Sequence, residues 1–345
     1  MKIIDAHNHP NYLGYNLQKL LADKDEHSIG QTWLLSLETP RHEYCPSYFK
    51  HCWPDENGAI PFSACLEFYR QHPDRFVLGY APDPRRPDAI SRLEAAIKLY
   101  GVQVCGEIML RMMYDNPDAI RLFRFCGDHG LPVIVELNYG IDIREGKPVP
   151  WEGYWYGGGI DTFERVLRAC PDTIFLGHGP GFWAHISNDD LYLQASYPQG
   201  DIVEGGKVVE LMHNYSNLYC DLSAGSGLNA LKRNREFARR FLIEFQDRCL
   251  FGRDQFGNEL QTYLNSLQLP QDVLSKFIMK TLCEFFHRDK PKNKALIYLK
   301  YLIGYSRKVK QWQSRMQENL DHIHNFGALI SARRAEGIFS QLSVS

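Results

Sequence analysis

Residues 117–137, PDAIRLFRFCGDHGLPVIVEL, hold the pattern that decides the fold. Ala119, Leu122, Phe123 and Cys126 recur at i, i+3, i+4 and i+7, one face of a helix over Pro117–His129. Gly130 closes that face and Pro132 follows two residues later, a helix stop. The apolar run Pro132–Leu137 then reads as a buried strand. Outward from this unit the same alternation repeats. Strand candidates are Lys2–Ala6, Gln31–Leu37, Arg75–Tyr80, Val102–Ile108, Thr173–Gly177, Asn217–Leu222 and Arg248–Gly252, which with Pro132–Leu137 make eight. Helical periodicity fills Pro87–Leu99, Asp161–Ala169 and Asn229–Phe245. Parallel strands need long crossovers, so this is an α/β chain, and eight strands favour a closed (β/α)8 barrel, the TIM barrel, over an open sheet.

The barrel is expected over residues 1–290, with a short C-terminal helical extension over 291–345 after the break at Pro291-Lys292-Asn293-Lys294. Its helical stretches, Ala295–Ser306 and Val309–Ser331, are expected to pack on the barrel or to serve a homo-oligomer interface. Two insertions, Asn138–Gly159 and Gly179–Gly206, follow the fifth and sixth strands and are rich in aromatics. Loops there build the sites of such barrels, and Trp155, Tyr156 and Trp183 are candidates to contact substrate, with a local hydrophobic cluster as the alternative.

Composition narrows the class. The 345 residues are 44% hydrophobic and 23% charged, with a formal net charge of −2. That balance suits a globular chain and gives no reason to expect a nucleic-acid or anionic-membrane partner. The nine cysteines are scattered without a CxxC pair and read as buried, reduced thiols. The N-terminal MKIIDAHNHP lacks the apolar stretch of a signal peptide, and no segment is long enough to span a membrane, so a cytoplasmic protein is expected. No GxGxxG follows the first strand, and no GxxxxGK[ST] or GxSxG is present, which argues against nucleotide cradles and a serine nucleophile.

The chemistry concentrates at strand ends. His7 and His9 close the first strand; side chains alternate, so both point to one side, shared with Asp5. Two such imidazoles can grip a metal ion. Glu107 and Glu136 end the apolar runs of strands four and five, His178 follows strand six, and Asp254 follows strand eight. A barrel converges these ends on one face. A buried carboxylate is costly unless paired or ligating, so six ionisable residues at five strand ends point to one metal site. Arg111 and Arg253 lie near these positions and could hold a substrate carboxylate or form structural ion pairs. Ser223, Ser226 and Asn229 are expected to shape a turn and cap the next helix, and His185, Asp189 and Asp190 to be solvated. His51, like the remaining histidines, shows no ligand spacing and reads as structural or surface.

The sequence resembles the amidohydrolase superfamily, in its amidohydrolase-2-like branch of TIM-barrel metal-dependent hydrolases and decarboxylases. The resemblance is carried by Ile4–His9, by Arg75–Ile108 with its Ala81-Pro82-Asp83-Pro84 turn, and by Leu131–Ile134, Ile174–Gly179, Asn217–Ser223 and Leu250–Asp254, and covers residues 1–290. It implies that His7 and His9 bind metal, that His178 binds metal or acts on substrate, and that Asp254 binds metal and serves as general base. Two departures stand out. Glu136 occupies the strand-five position where the family often has histidine. Cys105-Gly106-Glu107-Ile108 is similar to the TatD-type branch, in which the glutamate bridges two metals, although Phe251–Phe256 is not. The expected cofactor is a divalent ion, zinc or else manganese, one or two in number. The leading expectation is a hydrolase in which the ion activates water, Asp254 takes its proton, and the attack falls on a carbonyl or phosphoryl centre of a small molecule. A metal-dependent decarboxylase of an aromatic or unsaturated acid is the alternative. A non-catalytic ligand-binding barrel, suggested by Glu136, is a third.

Overall fold

The structure is a computed structural model that describes residues 3–278. Close contacts group Met1–Phe285 into one unit, apart from Phe286–Ser345. The expected tail helices, the boundary at residue 290 and Cys283 lie outside the described residues.

Ten strands are present: β1 Ile3–Asn8, β2 Ile29–Leu34, β3 Phe76–Leu78, β4 Cys105–Ile108, β5 Val133–Glu136, β6 Asn138–Arg144, β7 Lys147–Tyr156, β8 Phe175–His178, β9 Leu218–Asp221 and β10 Cys249–Leu250. The helices are α1 Leu17–Glu26, α2 Pro46–His51, α3 Phe62–Gln71, α4 Ala89–Tyr100, α5 Pro117–His129, α6 Ile160–Ala169, α7 Pro180–Trp183, α8 Lys207–Asn214, α9 Ala224–Lys232, α10 Arg235–Glu244, α11 Glu259–Ser266 and α12 Gln271–Ile278.

Eight of the strands form the barrel wall, all parallel. One ladder runs β1-β2-β3 and the other β4-β5-β8-β9-β10. A parallel bridge between Gly79 and Val104 joins β3 to β4. The ring closes where Ala6 donates its backbone N–H to the Phe251 carbonyl at 2.9 Å and Asp254 donates to the His7 carbonyl at 2.8 Å. This is the TIM barrel. Its strands hold two to six residues, and all but β1 are shorter than the apolar runs that announced them, because ladder bonds stop where the chain turns out over the rim.

Local chemistry sets the helix ends. Asn116 caps α5 by accepting from the Asp118 N–H at 2.9 Å, and Gly130 ends it at φ 70, a left-handed conformation that glycine takes without strain. The single helix expected over Asn229–Phe245 is instead two. The Asn234 side chain accepts from the Phe237 N–H at 2.8 Å and starts α10 afresh. A second difference concerns Asn138–Gly159, expected as a loop. It is the antiparallel hairpin β6–β7, turned at Glu145 and Gly146 with φ 51 and 72. Both central residues are left-handed, as a tight two-residue hairpin requires. Pro148 and Pro150 masked the strand in the sequence, and a two-stranded ribbon tolerates them.

A continuous apolar core fills the space between barrel and helices, from Leu20 and Leu93 through Phe123, Phe163 and Phe175 to Leu211 and Phe241. The Phe182 ring packs on the backbone of Gly177, where a Cβ would lie 2.5 Å from it. All eight cysteines among the described residues are buried, and none is in a disulfide. No described helix is long and apolar enough to cross a membrane.

Candidate metal centre

The pleat of β1 sends Asp5 and His7 to the barrel interior, with His9 one step beyond the strand. Asp5, fully buried, accepts from Arg253 Nε at 3.0 Å, from the Arg253 backbone N–H at 2.8 Å and from Asn8 Nδ2 at 3.2 Å. Arg253 also reaches Asp23 at 2.7 Å. Its guanidinium is therefore a structural ion-pair partner, and it lies off the cavity described below. This pairing clamps the segment after β10 against β1. Asp254, at φ 49, is turned inward there; aspartate tolerates that left-handed backbone better than most residues.

Three histidines are locked in the same sense. His7 Nδ1 lies 2.6 Å from Asp221 Oδ2, His9 Nδ1 lies 2.8 Å from the Leu35 carbonyl oxygen, and His178 Nδ1 lies 3.2 Å from Asp221 Oδ2 and 3.1 Å from Ser223 Oγ. A carboxylate and a carbonyl only accept, so each Nδ1 carries its proton and each Nε2 offers a lone pair. The Nε2 atoms of His7 and His9 converge on Glu107 Oε2, while His178 Nε2 faces Asp254 Oδ2 and Glu136 Oε2. That is the arrangement of metal-ligating histidines, whose outer nitrogen is fixed by a carboxylate or carbonyl.

Carboxylates complete the cluster. His7 Nε2 and His9 Nε2 are 3.3 Å apart, and each is 3.3 Å from Glu107 Oε2. Asp254 Oδ1 is 3.7 Å from His7 Nε2 and 3.4 Å from His9 Nε2. Four donors held about 2.1 Å from one ion at tetrahedral angles would be about 3.4 Å apart. His7, His9 and Glu107 fit that figure on all three of their edges, and Asp254 forms a further candidate set with His7 and His178. A second set, Glu107, Glu136 and His178, is looser, with His178 Nε2 at 4.0 Å from Glu107 and 3.6 Å from Glu136. The register of β5 against β8 pairs Glu136 with His178 directly.

Electrostatics agree. Burial opposes a charge on His7, but Asp254 and Asp221 outweigh it and raise its pKa to about 10. His9 and His178 are likewise raised against burial, chiefly by Asp254 and Glu107 for the first and by Asp221 for the second. Burial opposes ionisation of Glu107, yet His7 and His9 pull it down to about 2. Asp221 and Asp254 are held well below the carboxylate range, against burial, by the same histidines. Glu136 goes the other way: burial, with the Glu107 carboxylate, lifts it to about 8 against the pull of His178. Protons thus occupy the cluster where a cation would sit, and binding an ion would release them.

A cavity of about 450 Å³ opens above these donors. His9, Glu107, Glu136, His178 and Asp254 reach it; His7 lies beneath. The four residues expected at the substrate do not line it. The Trp183 indole is buried and donates to the Asp221 carbonyl at 2.9 Å, and the buried Tyr156 hydroxyl donates to the Glu43 carbonyl at 3.2 Å. The Arg111 backbone N–H donates to Glu43, and Trp155, next to Tyr156 on β7, is half-buried. Alternation along β7 turns Tyr154 into the cavity instead. His185 is not a solvated loop residue: it bonds the Tyr139 hydroxyl at 2.7 Å and ties the hairpin to the loop after β8. Asp189 is also engaged, 2.7 Å from Arg233, while Asp190 is exposed. Ser223 precedes α9 but its hydroxyl serves His178 rather than a cap, and Asn229 lies inside α9, bonded to the Pro198 carbonyl.

Sequence reasoning missed Asp221, although it ends an apolar strand just as Glu107 does. It also missed the lining residues Tyr12 and Asn138, and placed His51 among the structural or surface histidines although it lines the cavity; Tyr197, one of the aromatics of the Gly179–Gly206 insertion, does line it. Tyr12, His51 and Asn138 carry no spacing signal, because separate segments of the chain bring them to the rim.

The amidohydrolase family profile matches residues 61–276. No curated protein matches. Among solved structures, an uncharacterised TIM-barrel protein from Bordetella bronchiseptica is 17% identical at a TM-score of 0.53, over 81% of this chain and 95% of that one. A dihydroxybenzoic acid decarboxylase from a Polaromonas species, with manganese and the inhibitor 2-nitroresorcinol bound, is 13% identical at 0.51, over 85% and 98%. A candidate 2-pyrone-4,6-dicarboxylic acid hydrolase from Pseudomonas putida is 13% identical at 0.51, over 82% and 98%.

Proposed function

The chain belongs to the amidohydrolase family, and from that premise we propose that it is a metal-dependent hydrolase of a small carbonyl compound such as an ester, lactone or amide. One observation carries this reading: His7 and His9, their Nδ1 atoms fixed by Asp221 and the Leu35 carbonyl, bring their Nε2 atoms to ligand spacing with Glu107, beside Asp254 and His178. His7, His9, Glu107 and Asp254 would hold one divalent ion. Two imidazoles with two carboxylates suit zinc or manganese, the metal of the Polaromonas decarboxylase. The looser second set supports one ion over two. When bound, such an ion supplies Lewis acidity toward a carbonyl oxygen and toward water.

The protein's own groups do the rest. Asp254 Oδ1 faces His7 and His9, while Oδ2 lies 3.5 Å from His178 Nε2. One oxygen is thus a ligand and the other is free to take a proton from attacking water, with His178 beside it to pass that proton on or to steady a developing oxyanion. Asp221 and Ser223 hold the His178 ring for this role. The buried thiols suit a reducing, cytoplasmic setting.

Loss of carbon dioxide from an aromatic acid is the second reading, and it is favoured by Tyr12, Tyr48, Tyr154 and Tyr197 around the cavity, which would flank a flat ring. Turnover in heavy-oxygen water separates the two. Label entering the product supports hydrolysis, and release of carbon dioxide without label overturns it. If the protein expressed with zinc or manganese carries no stoichiometric metal, both enzyme readings fail and a ligand-binding barrel is left.

A further inference from the structure

The cavity has a charge and hydrogen-bonding character that narrows its substrate. Among the described residues, no lysine or arginine lines it. Glu107, Glu136 and Asp254 do, so the polar side chains at the floor of the cavity are carboxyl groups and imidazoles. Asp221, directly behind His7 and His178, adds another carboxylate. Arg253 is engaged with Asp5 and Asp23. A ligand bearing two carboxylates, or a phosphate dianion, would find no guanidinium or ammonium group there to receive it.

Three buried polar atoms on lining residues also have no hydrogen-bond partner: Glu136 Oε2, Asn138 Oδ1 and Ser226 Oγ. The Asn138 amide is oriented by its own contacts. Its Nδ2 donates to Glu136 Oε1 at 2.8 Å and reaches the Tyr154 hydroxyl at 3.4 Å, which leaves Oδ1 as the open atom. Buried polar groups nearly always find partners, so orphaned acceptors within a cavity mark where a ligand's donor belongs.

We propose that the substrate is an uncharged carbonyl compound presenting an N–H or O–H donor to a wall made by Glu136, Asn138 and Ser226. This rests on the metal-dependent reading above and narrows it. Glu136 is then a substrate contact, and the His7, His9 and Glu107 set does not call on it.

Calorimetric titration of the metal-loaded protein tests this with benzohydroxamic acid, its N-methyl derivative and isophthalate. Both hydroxamates offer the same two oxygens to a metal, and only the first has an N–H. The N–H compound should bind at least about tenfold more tightly, and isophthalate should show no binding. In Ser226→Ala and Asn138→Leu, each checked for fold and metal content, the preference should shrink toward parity. Equal binding of the two hydroxamates by the unmodified protein overturns the proposal, and so does isophthalate binding as tightly as the N–H compound. A preference that survives both substitutions overturns it too, because it would then be steric. If neither hydroxamate binds, the metal-centre reading fails and takes this inference with it.

Discussion

Replacing Asp221 with asparagine tests the centre at its deepest point. Both oxygens of Asp221 accept: Oδ2 from His7 at 2.6 Å and His178 at 3.2 Å, and Oδ1 from the Ser223 backbone N–H at 3.0 Å. Asparagine keeps one acceptor. In one orientation its amide nitrogen faces the Ser223 N–H; in the other it faces two imidazole N–H groups. Either way a buried donor meets a donor, and the negative charge that fixes both tautomers is gone. Hydrogen bonds to charged groups are worth about 1.5–3 kcal/mol. Removing an outer partner of a ligating histidine typically weakens metal binding about 10–100-fold, or about 1.4–2.7 kcal/mol. Asp221→Asn should therefore lower zinc or manganese affinity by that factor while Glu107 and Asp254, its neighbours in the cluster, stay in place. Competition against a fluorescent chelator reads the affinity, and circular dichroism checks the fold. A folded variant whose affinity lies within about twofold of the original would refute the tautomer argument.

Asp254→Asn should reduce turnover about 100- to 10,000-fold, the usual span for a general base; unchanged turnover with metal retained would remove Asp254 from that role. Stripping the metal should lower the unfolding temperature, since an ion present at about 1,000 times its Kd adds about 4 kcal/mol; scanning calorimetry with and without chelator measures it, and identical traces would argue against a bound ion. Glu136→Gln bears on pH in the metal-free protein. Burial raises the Glu136 pKa to about 8, so its contribution to stability is present below about pH 4 and is lost as pH rises through 8. The glutamine variant should therefore gain stability relative to the original progressively between about pH 4 and 8, the window that shift defines, by denaturant titration. A constant difference across that range would contradict the assignment.

The alternation of apolar strand runs with amphipathic helices was enough to identify the barrel, because each local period records which face must be buried. The same runs exposed His7, His9, Glu107, Glu136, His178 and Asp254, since an ionisable group closing a buried strand is conspicuous. Asp221 was equally conspicuous and overlooked. The hairpin β6–β7 was hidden by its prolines, and the break at Asn234 by unbroken apolar periodicity on either side.

What the sequence by itself determined is the architecture and the residues that reach the rim, for both follow from periodicity along one strand or helix. Only the tertiary structure decided how those residues are used. It gathered His7, His9, Glu107 and Asp254 at close range, gave Asp221 and Ser223 to the histidines, tied Arg253 to Asp5, and put Tyr12, Asn138 and Tyr154 around the cavity in place of Arg111, Trp155, Tyr156 and Trp183. The reason is physical. Ligand spacing and cavity walls depend on distances between segments that are far apart in the chain, and no local pattern encodes those distances.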